Sequence, residues 1–396
     1  MSTESPFFHT KVECPICKTV NEFETIKVGS YLENGRDTDF CPKEIKWKYQ
    51  RYQSYNPLVY FTAVCTNCFY TREFNAKFKE WKTDNNFRSY RLKPVKEKHL
   101  DLLAQSDSVI RAFGETINVN AYPNESAILK IHLAIFDELL ADRVLNLDLG
   151  RFYLRIAWLF RNLGEEENPN QQYLQGMFSE LDNSFVSVQS GAVQEKEIWV
   201  KFVKNLYAHF ESADHPTEIQ SVICSHKDNF ANRIQDLEKI FEETETKLGE
   251  FKRLFAEYKS AIVGGEFAGS DYGFGDFHSI GEFLLNHKAK NDAIVTSEKE
   301  ALVKAIHYYK EAFAGDREIT PGNQTIQASY LIAELSRRVG DYDGAKEYFN
   351  NTIKKGQEFI YEHRTDKSRT ALARKILELA IEQGKENMHS LKASSK

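Results

Sequence analysis

Long apolar runs and a leader-type N-terminus are both missing from this sequence of 396 residues. No stretch approaches about 18 uninterrupted apolar residues, which is the length that a membrane-spanning helix needs. The first residues, Met1 to His9, have no basic segment followed by an apolar run, so no signal peptide is visible. We therefore expect a soluble, cytoplasmic protein that is not inserted into a membrane.

The signatures of common enzyme classes are missing as well. The glycines of residues 264–281 invite comparison with a phosphate-binding loop, but no Gly-Lys-Ser/Thr follows them and no predicted strand precedes them. The histidines are scattered, and no Ser/His/Asp or Cys/His arrangement can be recognised. These absences lead us to expect a protein that is not an enzyme.

Cysteine is scarce and unevenly placed: five of the six cysteines lie in the first 68 residues. Four of them form two Cys-x-x-Cys pairs. Two intervening residues let both thiolates of one turn face the same ion, and two such turns complete a tetrahedral site. The sequence therefore predicts a Zn²⁺ site with Cys14, Cys17, Cys65 and Cys68 as its ligands.

The predicted ligand set also indicates what the ion does. Four thiolates fill a tetrahedral site and leave no position for substrate or water, so we expect a structural ion that stabilises a small core. Iron is the less favoured occupant, because all-sulfur tetrahedra suit both metals. Cys41 has no second cysteine beside it; a buried thiol is the favoured interpretation, and replacement of a ligand is the alternative.

The charge of the chain is divided between its two ends. Residues 1–100 contain 17 Lys/Arg and 12 Asp/Glu, a net charge of +5, while the remainder carries −11. Within the basic part, residues 43–60 interleave cations with aromatic rings, the combination that single-stranded nucleic acid needs. The candidate contact residues for nucleic acid or a partner are Lys46, Trp47, Lys48, Tyr49, Arg51 and Tyr52; an inward-packed loop is the alternative.

Asp37 and Asp39 form an Asp-x-Asp motif in the same region. Such a pair suits a divalent ion or phosphoryl chemistry, but no His or Glu lies nearby at ligand spacing. We therefore favour a turn or capping role for both carboxylates.

The order of these motifs resembles a known bacterial family. Cys-x-x-Cys is followed by Arg36-x-x-Asp39-Phe40, then by Asn56-Pro57-x-x-Tyr60, then by the second Cys-x-x-Cys. This order is similar to the bacterial family of unknown function numbered 2225. The resemblance implies a four-cysteine, zinc-ribbon-like head joined to a tetratricopeptide-like helical body, and it implies no activity. One departure is that Phe69 stands where such knuckles usually have glycine, so we expect a less regular second turn.

Helical periodicity dominates the chain after about residue 95. Residues 330–349 resemble a tetratricopeptide repeat, with Ala333, Gly340 and Ala345 at small packing positions and Tyr342 and Phe349 at large ones. We predict a mainly α protein with a small N-terminal β module, divided into a zinc-ribbon-like head (1–95), a tetratricopeptide-like block (96–190), a helical hairpin insertion with a Gly/aromatic loop (191–295) and a second helical block (296–396).

Two functional hypotheses follow from these patterns. The favoured one is a non-enzymatic zinc-binding adaptor or scaffold that binds another protein through its helical body. The alternative is a protein that contacts RNA, the ribosome or single-stranded DNA through its basic-aromatic head. An enzyme using Asp37 and Asp39 is a third possibility, and it requires a polar pocket around them.

Overall fold

A computed structural model describes residues 5–165, 169–211, 217–263, 274, 277, 279–315 and 317–394. The chain is mainly helical, with a few small antiparallel strand pairs near its N-terminus. This confirms the predicted fold class. None of the described helices is both long and apolar enough to cross a membrane.

The strands form three separate two-stranded sheets, each antiparallel. Both cysteine pairs lie in the turns of such hairpins, the first between β1 and β2 and the second between β5 and β6. The third hairpin, β3–β4, carries the Asp-x-Asp motif in its turn. The strands, together called the head, are β1 Phe7–Glu13, β2 Val20–Ile26, β3 Tyr31–Arg36, β4 Pro42–Trp47, β5 Thr62–Val64 and β6 Thr71–Glu73.

The α-helices follow the head in sequence. The first of them, α1, spans Leu92–Ala104 and has Pro94 in its first turn, where a missing N–H costs little. The helices are α1 Leu92–Ala104, α2 Val109–Thr116, α3 Pro123–Leu139, α4 Asn146–Glu165, α5 Pro169–Glu211, α6 Thr217–Val263, α7 Ile280–Lys288, α8 Glu298–Ala314, α9 Asn323–Val339, α10 Tyr342–Glu362 and α11 Lys367–Ser394.

The chain divides into two compact units. One contains residues 1–166 and 274–396, and the other contains residues 167–273. In the second unit α5 packs against α6, and the rings of Phe185 and Phe251 stack at 5.4 Å. The predicted insertion, 191–295, overlaps this unit, and most of its Gly/aromatic loop lies outside the described residues.

The first unit joins the head to α1–α4 and α7–α11, which we call the body. Helix α3 is its centre, because almost every residue from Ser126 to Asp137 is buried. Helix α4 packs against α8, and α9, α10 and α11 pack successively on one another. The α9–α10 turn contains Gly340 at φ +89° and Asp341, which caps α10 by accepting from Gly344 N. Assignment of these pairs as tetratricopeptide repeats stays a prediction.

A buried histidine in α3 makes the stability of the fold depend on pH. His132 Nδ1 donates to the Ile128 carbonyl, and its Nε2 accepts from the Val295 amide at 3.2 Å. That pattern requires the neutral ring. Burial lowers the pKa of His132 to about 4, although the bond to Ile128 opposes the shift. The unfolded chain therefore binds a proton more readily than the folded chain between about pH 6.5 and pH 4.

Acidification should consequently destabilise the protein through this residue. Because the folded pKa lies below the unfolded one, His132 costs nothing above about pH 7 and roughly 2 kcal/mol at pH 5. We expect His132→Gln to remove this part of the pH dependence, as measured by denaturant unfolding at pH 7 and pH 5. A wild-type and a variant protein that lose stability equally over this range would contradict the assignment.

Candidate metal centre and the ion-pair cluster beside it

The four predicted ligands converge in the structure. One sulfur atom from each of Cys14, Cys17, Cys65 and Cys68 lies within 4.8 Å of all the others. The Cys14–Cys68 sulfur distance is 3.7 Å and the Cys17–Cys65 distance is 3.4 Å. A tetrahedron with Zn–S bonds of about 2.3 Å has sulfur–sulfur edges of about 3.8 Å, and these two distances are close to that value. All four thiols are free rather than joined in disulfides.

The two cysteine turns have the same backbone geometry. In the first, Cys14 N donates to Thr19 O and Lys18 N donates to Cys14 O. In the second, Cys65 N donates to Tyr70 O and Phe69 N donates to Cys65 O. Lys18 and Phe69 are both left-handed, with φ of +66° and +61°. The expectation of a less regular second turn is therefore wrong: Phe69 adopts the conformation for which glycine is usually chosen.

Asn21 of β2 supports the second turn from the first hairpin. Its amide nitrogen donates to Thr19 O at 3.0 Å and points at Cys65 Sγ at 3.5 Å. Its oxygen accepts from both the backbone and the hydroxyl of Thr66. An amide that donates to a ligating sulfur stabilises its negative charge and fixes its orientation. No spacing rule in the sequence indicates this residue.

A buried pair connects the second turn to the body. His99 of α1 bonds to Cys68 O through Nε2 and to Asp137 of α3 through Nδ1, at 2.8 and 2.6 Å. The other Asp137 oxygen accepts from the Thr71 amide. Burial lowers the pKa of His99, but the Asp137 carboxylate outweighs this and the net direction is upward. The pair thus anchors the turn that holds Cys65 and Cys68.

The thiol protons are shared unevenly within the cluster. Hydrogen bonds from Cys14 and Cys68 hold the pKa of Cys65 far below its usual range. The pKa of Cys14 is raised by its bond to Cys65, and the pKa of Cys68 by its bond to Cys14. Burial opposes ionisation of Cys17, but bonds to Thr19 outweigh it and lower the pKa of this thiol. The thiolate form is therefore favoured at Cys65 and Cys17, and an incoming divalent ion would displace the remaining thiol protons.

The Phe69 ring also packs against α2, and this contact explains why a residue without a side chain stands at Gly114. A Cβ atom added to Gly114 would lie 2.2 Å from the Phe69 ring. We expect Gly114→Ala to lower the free energy of unfolding by about 1–3 kcal/mol, because the ring would have to move out of a packed site. Gly164→Ala is the matched control, since nothing lies within 4 Å of an added Cβ there. Equal stability of the two variants in denaturant unfolding would contradict this packing.

Cys41 lies outside the four-cysteine cluster. It is buried, its thiol points at Pro42 O at 3.6 Å, and burial raises its pKa to about 12. The favoured interpretation of Cys41 as a buried thiol agrees with this environment.

Asp37 and Asp39 form the turn of the β3–β4 hairpin and bind two arginines of the body. Within the turn, Asp37 Oδ1 accepts from Thr38 N and Asp39 Oδ1 accepts from Cys41 N. Asp39 is fully buried, and Arg161 of α4 donates to both of its oxygens at 3.2 and 2.7 Å. Asp37 Oδ2 accepts from Arg161 at 3.1 Å and from Arg338 of α9 at 2.7 Å.

Other side chains complete this ion-pair cluster. Glu334 accepts from Arg337 and Arg338, Glu298 accepts from Arg161, and Trp158 donates to Asp39 at 3.2 Å. Burial opposes ionisation of Arg161, but the bonds to Asp39 and Glu298 raise its pKa. The predicted turn role of the two aspartates is thus one part of their function in the fold. The larger part is to fasten the β3–β4 hairpin to α4 and α9.

The basic-aromatic segment has its large rings turned inward. Trp47 and Tyr52 are buried, pack with Phe7, and the Trp47 indole donates to Tyr55 O at 2.8 Å. Base stacking by Trp47 and Tyr52 is therefore incompatible with this structure, and the inward-packed loop is the better description. The cations of the segment, Lys46, Lys48 and Arg51, remain exposed, and Tyr49 is half-buried. Lys46 pairs with Glu44 at 2.8 Å, and the Arg51 guanidinium lies over the Tyr52 ring.

A cleft of about 1200 Å³ lies between the head and the body. We call it the head–body cleft. The β3–β4 hairpin and the segment after it form one wall, and helices α4, α8, α9 and α11 form the other. Its lining includes Tyr31, Glu33, Arg36, Tyr60 and Phe61 from the head side, and Arg151, Arg155, Trp158, Tyr309, Gln327, Leu331, Leu372 and Lys375 from the body.

Comparison with known proteins agrees with the resemblance read from the motifs. A family model described as an uncharacterized protein conserved in bacteria (DUF2225) matches residues 7–244 and 283–374, which is most of the chain. No curated protein and no solved structure matches the chain significantly.

Proposed function

The chain belongs to this bacterial family, and we propose that it is a non-enzymatic, zinc-stabilised adaptor that binds a segment of another protein in the head–body cleft. The observation that carries the proposal is the cleft itself. Its volume of about 1200 Å³ exceeds the range of about 300–1,000 Å³ that is usual for small-molecule pockets. Aromatic and cationic side chains line it from both walls.

In this proposal the metal centre maintains one wall of the cleft. Zn²⁺ held by Cys14, Cys17, Cys65 and Cys68 would join the two cysteine hairpins; the grouping of all four sulfur atoms within 4.8 Å of one another supports this role. The ion-pair cluster then holds β3–β4 against α4 and α9. A head fixed at both places gives the cleft a preformed shape, which lowers the entropy cost of binding a partner.

The alternative of nucleic-acid binding by the head receives no support from its aromatic residues. Trp47 and Tyr52 have their rings buried, so the segment lacks the two large stacking surfaces on which that hypothesis depended. A protein partner is consequently the better proposal.

Site-specific photocrosslinking in the native bacterium tests the adaptor proposal. Benzoylphenylalanine replaces Gln327 or Leu372, which line the cleft, and as a control replaces Tyr361, which is exposed elsewhere on the body. We expect the two cleft positions to crosslink to the same protein and the control position to give no such product. Crosslinks to nucleic acid, or identical products from all three positions, would overturn the proposal.

A further inference from the structure

The lining of the cleft includes a guanidinium that forms no ion pair with any residue the structure describes. Arg155 of α4 donates from Nη1 to Arg151 O at 3.1 Å, and its guanidinium lies 4.2 Å from the centre of the Phe61 ring. No carboxylate of the described residues lies within ion-pair distance of it. Burial lowers the pKa of Arg155 and the neighbouring charge of Arg151 lowers it further, while the more distant charges of Glu73 and Asp148 oppose the shift without reversing it. A largely buried cation without a counterion is costly for a fold, so a binding role would explain why it is there.

Further cations line the same space. Arg151 precedes Arg155 by one helical turn, and its own partner, Asp148, is at 3.7 Å. Like charges at i and i+4 on a helix repel each other, and an anion between them would relieve the repulsion. Lys375 of α11 also lines the cleft, is exposed, and has no ion pair with any residue that the structure describes.

The acidic groups of the cleft do not balance these cations. Asp37 is already bonded to Arg161 and Arg338, and Glu33 accepts from Arg36 at 3.1 Å. Arg151 shares Asp148 with Lys77. The cations of the cleft without an ion pair among the described residues are therefore Arg155 and Lys375, and the charge left over is positive. The same cleft is also lined by apolar and aromatic side chains such as Phe61, Trp158 and Leu331. A ligand complementary to this lining must present both anionic and apolar groups.

We propose that the head–body cleft binds an extended, acidic segment of the partner protein, with its carboxylates on Arg155, Arg151 and Lys375 and its apolar side chains against the aromatic lining. This inference rests on the proposed adaptor function and specifies the chemistry of the partner. An extended peptide is favoured over a small anion because the cations belong to two helices and because the cleft is larger than a usual small-molecule pocket.

Fluorescence anisotropy with labelled peptides tests the inference on the full-length, zinc-loaded chain. The probe is a short peptide of repeated Glu-Leu-Glu units, and its matched control replaces every Glu by Gln. We expect the acidic peptide to bind at least about tenfold more tightly, because charge-assisted hydrogen bonds form only with carboxylates. Equal binding of the two peptides, or no binding of the acidic one, would overturn the inference.

Three variants assign the binding to the cleft. Arg155→Met and Lys375→Glu should each weaken binding of the acidic peptide by about tenfold or more. Arg143→Gln removes an exposed positive charge that does not line the cleft, and it should leave the affinity unchanged. Arg155→Met should also melt at the same temperature as the wild type or higher, since it removes an unpaired buried charge. Unchanged peptide affinity in both cleft variants would overturn the assignment of binding to the cleft. If Arg155→Met does not fold, the affinity of Lys375→Glu alone tests that assignment.

A competition experiment distinguishes binding of a peptide from binding of a free anion. A comparison with the crosslinking result then distinguishes failure of this inference from failure of the adaptor proposal. ATP or inorganic phosphate, added at a concentration equal to the Kd of the acidic peptide, should not displace that peptide. Displacement by either anion would overturn the peptide assignment. Crosslinking of a protein partner from Gln327 combined with equal binding of the acidic and amide peptides would leave the adaptor proposal in place and reject only this inference.

Discussion

Replacement of Cys65 by Ser is expected to release the metal ion and to unfold the cysteine hairpins while most of the helical signal remains. Removal of one thiolate opens a closed four-sulfur site, and binding of zinc to such sites contributes on the order of 10 kcal/mol to folding. The cysteines lie inside the core that includes Ile16, Tyr70 and Phe78, so loss of the ion leaves polar thiol groups in the middle of that core.

Two measurements on the same sample would show this result. Metal analysis should fall from one ion per chain to almost none, and limited proteolysis should cut within residues 7–73 before it cuts the body. Cys41→Ser is the matched control, because Cys41 lies outside the cluster and should leave the metal content unchanged. A Cys65→Ser protein that keeps its ion and resists proteolysis like the wild type would contradict the ligand assignment.

Asp39→Asn should give the second large effect, a loss of about 3 kcal/mol in the free energy of unfolding. Asp39 is fully buried and accepts both of its charge-assisted bonds from Arg161, whose side chain is only 10% exposed. Breaking a buried ion pair costs about 3–5 kcal/mol of unfolding free energy. We expect the lower end of this range, because Asp37 and Glu298 still neutralise part of the charge of Arg161.

A matched substitution separates this buried pair from surface charge. Arg36→Gln breaks the exposed pair with Glu33 and should cost less than about 1 kcal/mol. The double variant Asp39→Asn/Arg161→Met should lose less stability than the sum of the single variants, because each single change already breaks the same bonds. Additive losses, or a loss below 1 kcal/mol for Asp39→Asn alone, would contradict the role of the ion-pair cluster.

The sequence predicts the four-cysteine cluster well because its signal is local. Two residues between Cys14 and Cys17, and again between Cys65 and Cys68, determine how the sulfurs of each turn are placed, and the pairing of two such turns follows from tetrahedral geometry. Helical periodicity likewise indicates the helical character of the chain after the head, because it repeats within each helix. These features could be read without knowledge of the rest of the fold.

The groups that support the site leave no such local signal. Asn21, His99 and Asp137 act on the second cysteine turn, yet their spacing from it follows no motif. The pairing of Asp39 with Arg161 also follows no motif, because the two residues lie 122 positions apart in the sequence. Burial of Trp47 shows the opposite difficulty, because an inward-packed loop and a nucleic-acid surface have the same basic-aromatic composition. Only tertiary contacts distinguish these cases.

X-ray absorption at the zinc edge, on the purified wild-type chain, tests the four-thiolate centre most directly. It should show one zinc ion per chain surrounded by four sulfur atoms at about 2.3 Å, with no nitrogen or oxygen ligand. A first shell that contains nitrogen or oxygen, or protein that carries neither zinc nor iron, would contradict a closed site formed by Cys14, Cys17, Cys65 and Cys68.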